Sequence, residues 1–107
     1  MRKIIKPSLL AVGLLFSSFM QATVSLPHFF SDNMVLQRDM PIHIWGKADK
    51  KETVTVSFNG TSITAKADRH GRWQVELPSM RYGGPFSMTV KGHDNTIALD
   101  NILIGDV

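Results

Sequence analysis

A chain of 107 residues has room for one domain and not two. Its formal charge of +3 comes from twelve Lys and Arg against nine Asp and Glu; three of the basic residues, Arg2, Lys3 and Lys6, stand together at the amino end, and the balanced remainder leaves no electrostatic footprint for nucleic acid or an anionic membrane. With 0 cysteines the sequence excludes disulfides, thiol nucleophiles and zinc–thiolate sites, and 43% hydrophobic with 20% charged residues excludes wholesale disorder.

Behind Arg2, Lys3 and Lys6 comes the uncharged run 9–20, LLAVGLLFSSFM. A membrane-spanning helix needs about 20 apolar residues, so the run is short for a permanent anchor. It reads instead as the apolar region of a secretory signal peptide, with Ala22 as the small residue before the cut. Met20 is bulkier than that pattern prefers, which loosens the cut by a few residues; the alternative is an uncleaved anchor. The expectation is a signal peptide over 1–22 and an exported chain, periplasmic or extracellular, beginning near Thr23 and free of the membrane after cleavage. The absence of Cys excludes lipid attachment through cysteine.

The rest is patterned as strands. Residues 34–38 and 42–45 are short strands around the turn Asp39-Met40-Pro41. From Thr53 the chain alternates Val54, Val56 and Phe58 with Thr53, Thr55 and Ser57, the period of two of a half-buried strand. Asn59-Gly60 follows, the favoured pair for a two-residue type I′ hairpin, and then Ile63, Ala65 and Ala67 alternate with Ser62, Thr64 and Lys66. If Asn59 and Gly60 form the loop, Phe58 faces Thr61, Ser57 faces Ser62, Val56 faces Ile63 and Thr55 faces Thr64. That register puts apolar partners on one face and hydroxyls on the other. Trp73, Val75 and Leu77 predict the next strand, Phe86, Met88 and Val90 another, Ile97 and Leu99 another, and 102–104 a final one. Turn signals at 49–51, 68–71, 83–85 and 92–95 separate them. Short strands at this spacing predict an all-β fold, a small antiparallel β-sandwich over 23–107, immunoglobulin-like in the first instance and jelly-roll in the second.

Candidate chemistry is thin. His28, His43, His70 and His93 sit in four separate contexts, and no pair has metal-ligand spacing. Asp68 and His70 suggest a hydrolase pair, but they flank a turn in which Gly71 supplies the permissive backbone before Trp73 starts the next strand, and the turn reading is preferred. His28, Ser31 and Asp32 make a triad in composition only, with no scaffold to hold a base and an oxyanion hole. Asn59-Gly60-Thr61 matches a glycosylation acceptor but is already accounted for as a hairpin turn. Trp45, Trp73 and Tyr82 are candidates for a sugar-stacking platform; Trp73 is in phase with the core, whereas Trp45 is out of phase with Ile42 and Ile44 and points to the surface or an interface. Read this way the chain carries no catalytic, cofactor-binding or metal residue and requires no cofactor.

Two blocks carry a resemblance. LPHFFSDNMVLQR over 26–38, with Met40-Pro41-Ile42 and Ile44-Trp45-Gly46, resembles the amino-terminal region of sialate O-acetylesterases. The likeness runs on through Val54-Thr55-Val56, Asn59-Gly60, Asp68, Gly71-Arg72-Trp73, Gly83-Gly84-Pro85 and the closing NILIGDV over 101–107. It implies an amino-terminal β-sandwich leading into an SGNH-type α/β-hydrolase domain. In that family the Ile-Gly-Asp-Val stretch is followed closely by a Gly-Gln-Ser-Asn-Met motif carrying the nucleophilic serine, and the Asp and His come much later.

On this resemblance the catalytic Ser, Asp and His lie beyond Val107. The chain is then expected to be a non-catalytic fragment of a secreted esterase that removes O-acetyl groups from sialic acids or another acetylated sugar, with the hydrolase domain of the full-length chain as its partner. The alternative is a stand-alone exported sandwich that binds glycan or protein and does no chemistry.

Overall fold

The computed structural model describes residues 23–107; the expected signal peptide, 1–22, lies outside them. Seven strands follow in order: β1 (Val35–Gln37), β2 (Ile42–Lys47), β3 (Thr53–Phe58), β4 (Thr61–Lys66), β5 (Arg72–Leu77), β6 (Gly83–Lys91) and β7 (Thr96–Gly105). They form two sheets, β1-β7-β6-β3-β4 and β2-β5. The chain changes sheet between β1 and β2, β2 and β3, β4 and β5, and β5 and β6. The order is that of an immunoglobulin-like sandwich, with β2 and β5 as the B–E pair and β4-β3-β6-β7 as C′-C-F-G. It favours the first of the two expected architectures over the jelly roll.

The period of two produces the core. Ile42 and Ile44 of β2 and Trp73, Val75 and Leu77 of β5 turn inward from the small sheet. Val54, Val56 and Phe58 of β3, Met88 and Val90 of β6, and Leu99, Ile102 and Ile104 of β7 meet them from the large one. The β3–β4 hairpin has the anticipated register, from Phe58 opposite Thr61 to Thr55 opposite Thr64. Asn59 and Gly60 take the positive φ values of a type I′ turn, 49° and 81°. The hydroxyls on the outer face pair as well, Ser57 with Ser62 at 2.8 Å and Thr55 with Thr64 at 3.2 Å.

The structure corrects the strand reading in three places. Gly83-Gly84-Pro85, expected as a turn, opens β6, with Gly83 opposite Ile104 on β7. β1 runs parallel to β7, with Val35 opposite Leu103, while every other named pair is antiparallel. Residues 97–99 and 102–104 belong to one strand, not two. Between the pairs Met88–Leu99 and Phe86–Ile102, β7 advances three residues while β6 advances two. The extra residue lies beside Asn101, whose φ is 58°. Such a bulge flips the alternation, so Leu99 and Ile102 both reach the core although three positions separate them.

Candidate functional site

The outer face of the small sheet carries a groove of about 780 Å³. β2 and β5 pair so that Trp45 stands opposite Gln74 and Lys47 opposite Arg72. Since inward positions alternate with outward ones, these four side chains share the exposed face. The segment Ser25-Leu26-Pro27 forms one wall of the groove, and Lys66 and Asp68 lie along the other lining. Ser25 is held against β2 by two backbone bonds with Lys47, Ser25 N–H to Lys47 O at 2.8 Å and Lys47 N–H to Ser25 O at 3.0 Å. Gly46 permits that approach, since a β-carbon there would collide with the Ser25 carbonyl oxygen and press on Trp73.

Trp45 is 41% exposed, and its indole is fixed by aromatic neighbours. The Phe30 ring lies edge-on at 4.8 Å between centroids, and Phe29 lies tilted at 5.3 Å. Trp73 is buried beneath, with its indole N–H donating to Lys47 O at 3.1 Å. Tyr82, 75% exposed, sits just before β6 and does not line the groove. The three aromatics considered as one platform therefore separate into a groove wall, a core residue and a remote surface residue.

Asp68 closes the β4–β5 connection rather than a catalytic pair. Its Oδ1 accepts the backbone N–H of His70 at 2.8 Å and of Arg72 at 2.9 Å. The Arg72 backbone bond is the largest influence and holds the carboxyl below the usual aspartate range; desolvation opposes it, and the His70 bond adds to the lowering. His70 instead accepts a bond from Arg69 Nε at 3.3 Å. The cluster His28, Ser31 and Asp32 does not assemble either: all three are exposed, and Asp32 Oδ1 accepts the Asp100 N–H at 2.8 Å. His43 pairs with Glu76 at 3.2 Å on the surface. Among the described residues no cluster of His, Asp and Glu could hold a metal ion.

Two polar anchors escaped the sequence reading. Glu52 is the one buried charged residue among those described, 2% exposed. Its Oε1 accepts the Asp49 N–H at 2.8 Å and its Oε2 the His93 N–H at 2.7 Å, so one carboxylate ties the β2–β3 turn to the β6–β7 turn. Its signal was positional, because Glu52 continues the inward phase of Val54 and Val56. Asn95 grips the backbone of Val24 from both sides, accepting its N–H at 2.9 Å and donating to its carbonyl at 3.1 Å. Near the carboxyl end, Asp106 accepts bonds from Gln37 Nε2 at 3.2 Å and Arg38 Nε at 3.1 Å. The Gln37 bond and then Arg38 lower the Asp106 carboxyl below its ordinary value, and Asp106 in turn raises the Arg38 guanidinium.

No protein-family model matches the chain, and no curated protein does. Among solved structures it is similar to a carbohydrate acetylesterase from Xanthomonas citri, with a TM-score of 0.78 and 38% sequence identity over 78% of this chain. The match covers 19% of that protein, so the chain spans about a fifth of its length. At this identity the likeness reaches sequence as well as fold, and it supports an esterase-related family for the sandwich.

Proposed function

We propose that this chain is the amino-terminal, non-catalytic β-sandwich of an exported carbohydrate O-acetylesterase of the sialate type. The observation that carries the reading is the 38% identity with a carbohydrate acetylesterase, over 78% of this chain but only 19% of that one. The side-chain geometry agrees with a non-catalytic role. Ester hydrolysis needs an activated nucleophile, a base oriented by a third group and donors aimed at the developing oxyanion. Here the carboxylate of Asp32 accepts the Asp100 N–H on β7, and that of Asp68 accepts the N–H groups of His70 and Arg72. In the whole protein a serine beyond Val107 attacks the acetyl carbonyl, a histidine takes the serine proton and returns it to the departing sugar hydroxyl, and backbone donors hold the tetrahedral oxyanion. The sandwich serves as the platform on which that hydrolase domain is seated.

The test is a comparison of two chains. The 107-residue chain is expected to hydrolyse p-nitrophenyl acetate and O-acetylated sialic acid no faster than a boiled control. A chain extended through the downstream reading frame is expected to hydrolyse both, and to lose the activity when the first serine after Val107 becomes alanine. Saturable, heat-sensitive turnover by the 107-residue chain overturns the proposal, as does a downstream frame with no Gly-Gln-Ser-Asn motif.

A further inference from the structure

The geometry points to the groove on β2 and β5 as a binding site for a carboxylated sugar of the uronate or sialate class. The carbohydrate class rests on the reading above; the demand for an acidic ligand comes from this chain alone.

Trp45 supplies the apolar wall. Phe29 and Phe30 hold its ring at 5.3 and 4.8 Å, so little side-chain freedom is lost when a pyranose stacks on it. Gln74, opposite Trp45 in the register, places an amide that can donate and accept beside that ring, which suits vicinal hydroxyls. Lys47, Lys66 and Arg72 line the same groove with Asp68 as its one carboxylate. That carboxylate is already engaged by two backbone N–H groups through Oδ1, with Oδ2 3.8 Å from Arg72 Nε. Lys47 and Lys66 make no ion pair among the described residues. The groove therefore offers an oriented aromatic, a bifunctional amide and two unneutralised ammonium groups. At about 780 Å³ it falls in the range of small-molecule sites, roughly 300–1,000 Å³. A neutral sugar satisfies the first two features and leaves the ammonium groups unused, whereas a sugar carboxylate engages all of them.

The experiment is isothermal titration calorimetry on the exported protein beginning near Thr23, at low salt, with trigalacturonic acid, sialyllactose, lactose and cellotriose as ligands. At least one acidic saccharide is expected to bind saturably, at least about tenfold tighter than the neutral ones, and to weaken with added salt. The arm that binds separates uronate from sialate. Trp45→Ala is expected to abolish binding and Trp45→Phe to retain it, with near-ultraviolet circular dichroism from Trp73 reporting that both variants are folded. Replacing Lys47 and Lys66 together by Gln should cost the acidic ligand about tenfold and leave neutral ligands unchanged. Equal affinity for neutral and acidic saccharides overturns the inference. So does competition by polyglutamate as strong as by the acidic saccharide, which would mark a bare charge patch, or no saturation up to about 10 mM. The result is distinct from the esterase test, because binding is read on a chain that needs no hydrolytic activity.

Discussion

Glu52 is a position where a single polar substitution tests how the turns are held together. The residue is 2% exposed, and its carboxylate accepts two peptide N–H groups, from Asp49 at 2.8 Å and from His93 at 2.7 Å. Its own backbone is committed as well, with its N–H donating to Asp49 O at 3.0 Å and its carbonyl accepting from Ala67 N–H at 2.8 Å. Three connections thus converge on one residue. In Glu52→Gln one oxygen still accepts a bond, but the amide group points N–H donors at the second peptide N–H. One charge-assisted hydrogen bond is lost, a change of about 1.5–3 kcal/mol, and relief of burying the charge offsets part of it. The expected net loss is about 2 kcal/mol for Glu52→Gln and about 3–4 kcal/mol for Glu52→Ala, which orphans both donors. For a domain of this size the glutamine variant should melt roughly 8–16 °C lower. Urea unfolding followed by tryptophan fluorescence measures the difference, with Glu76→Gln on the exposed face of β5 as a control expected within about 0.5 kcal/mol of the parent. A Glu52→Gln midpoint equal to that of the control would refute the argument that this carboxylate holds the two turns together.

Further outcomes follow from the hairpin and from the acid limb of stability. Gly60→Val should destabilise by ~1–3 kcal/mol because a β-branched residue resists a φ of 81°, while Gly60→Asn should be much milder; equal denaturation midpoints for the two variants would contradict a type I′ turn. Asp68 has a folded-state value below its ordinary one, so its contribution is present above about pH 4 and is lost as pH falls through the lowered folded value. Asp68→Asn should therefore lower stability at neutral pH and flatten the loss between about pH 4 and pH 2, a difference readable from urea midpoints across that range.

How far the fold was legible depends on the range of the forces that set it. The β3–β4 hairpin is local: Asn59-Gly60 dictates the loop, the loop dictates the register, and alternation dictates the buried face. Trp73 inward and Trp45 outward follow from the same phase. By contrast, the parallel pairing of β1 with β7 joins residues about as far apart as the domain allows, and no local pattern marks it. The bulge beside Asn101 hid the continuity of β7, since an inserted residue looks like a strand break when only periodicity is read. The groove was illegible for a similar reason. Trp45 was marked as exposed, but its wall at 25–27 and the basic residues at 47, 66 and 72 come together only after two sheets and a loop are in place.

The amino-terminal boundary can be argued from the same contacts. A signal cut after Ala22 leaves Thr23 first and Val24 second. Val24 is 2% exposed, and Asn95 brackets its peptide group at 2.9 and 3.1 Å. Ser25 then makes its two bonds with Lys47 and closes one side of β2. A chain starting at Thr23 keeps all of these contacts, whereas one starting at Leu26 loses a buried valine, worth about 1.5–3 kcal/mol, and leaves Asn95 and Lys47 without their backbone partners. The later start should cost about 3–5 kcal/mol, a large share of the total stability of so small a domain. Export is therefore expected to yield a protein whose intact mass corresponds to Thr23, or within a residue of it on the amino side, because a cut beyond Val24 removes part of the sandwich. Exported material that retains residues 1–20 would refute cleavage. A folded protein beginning at Leu26, with a urea midpoint equal to that of the Thr23 form, would refute the structural role given to Val24 and Ser25.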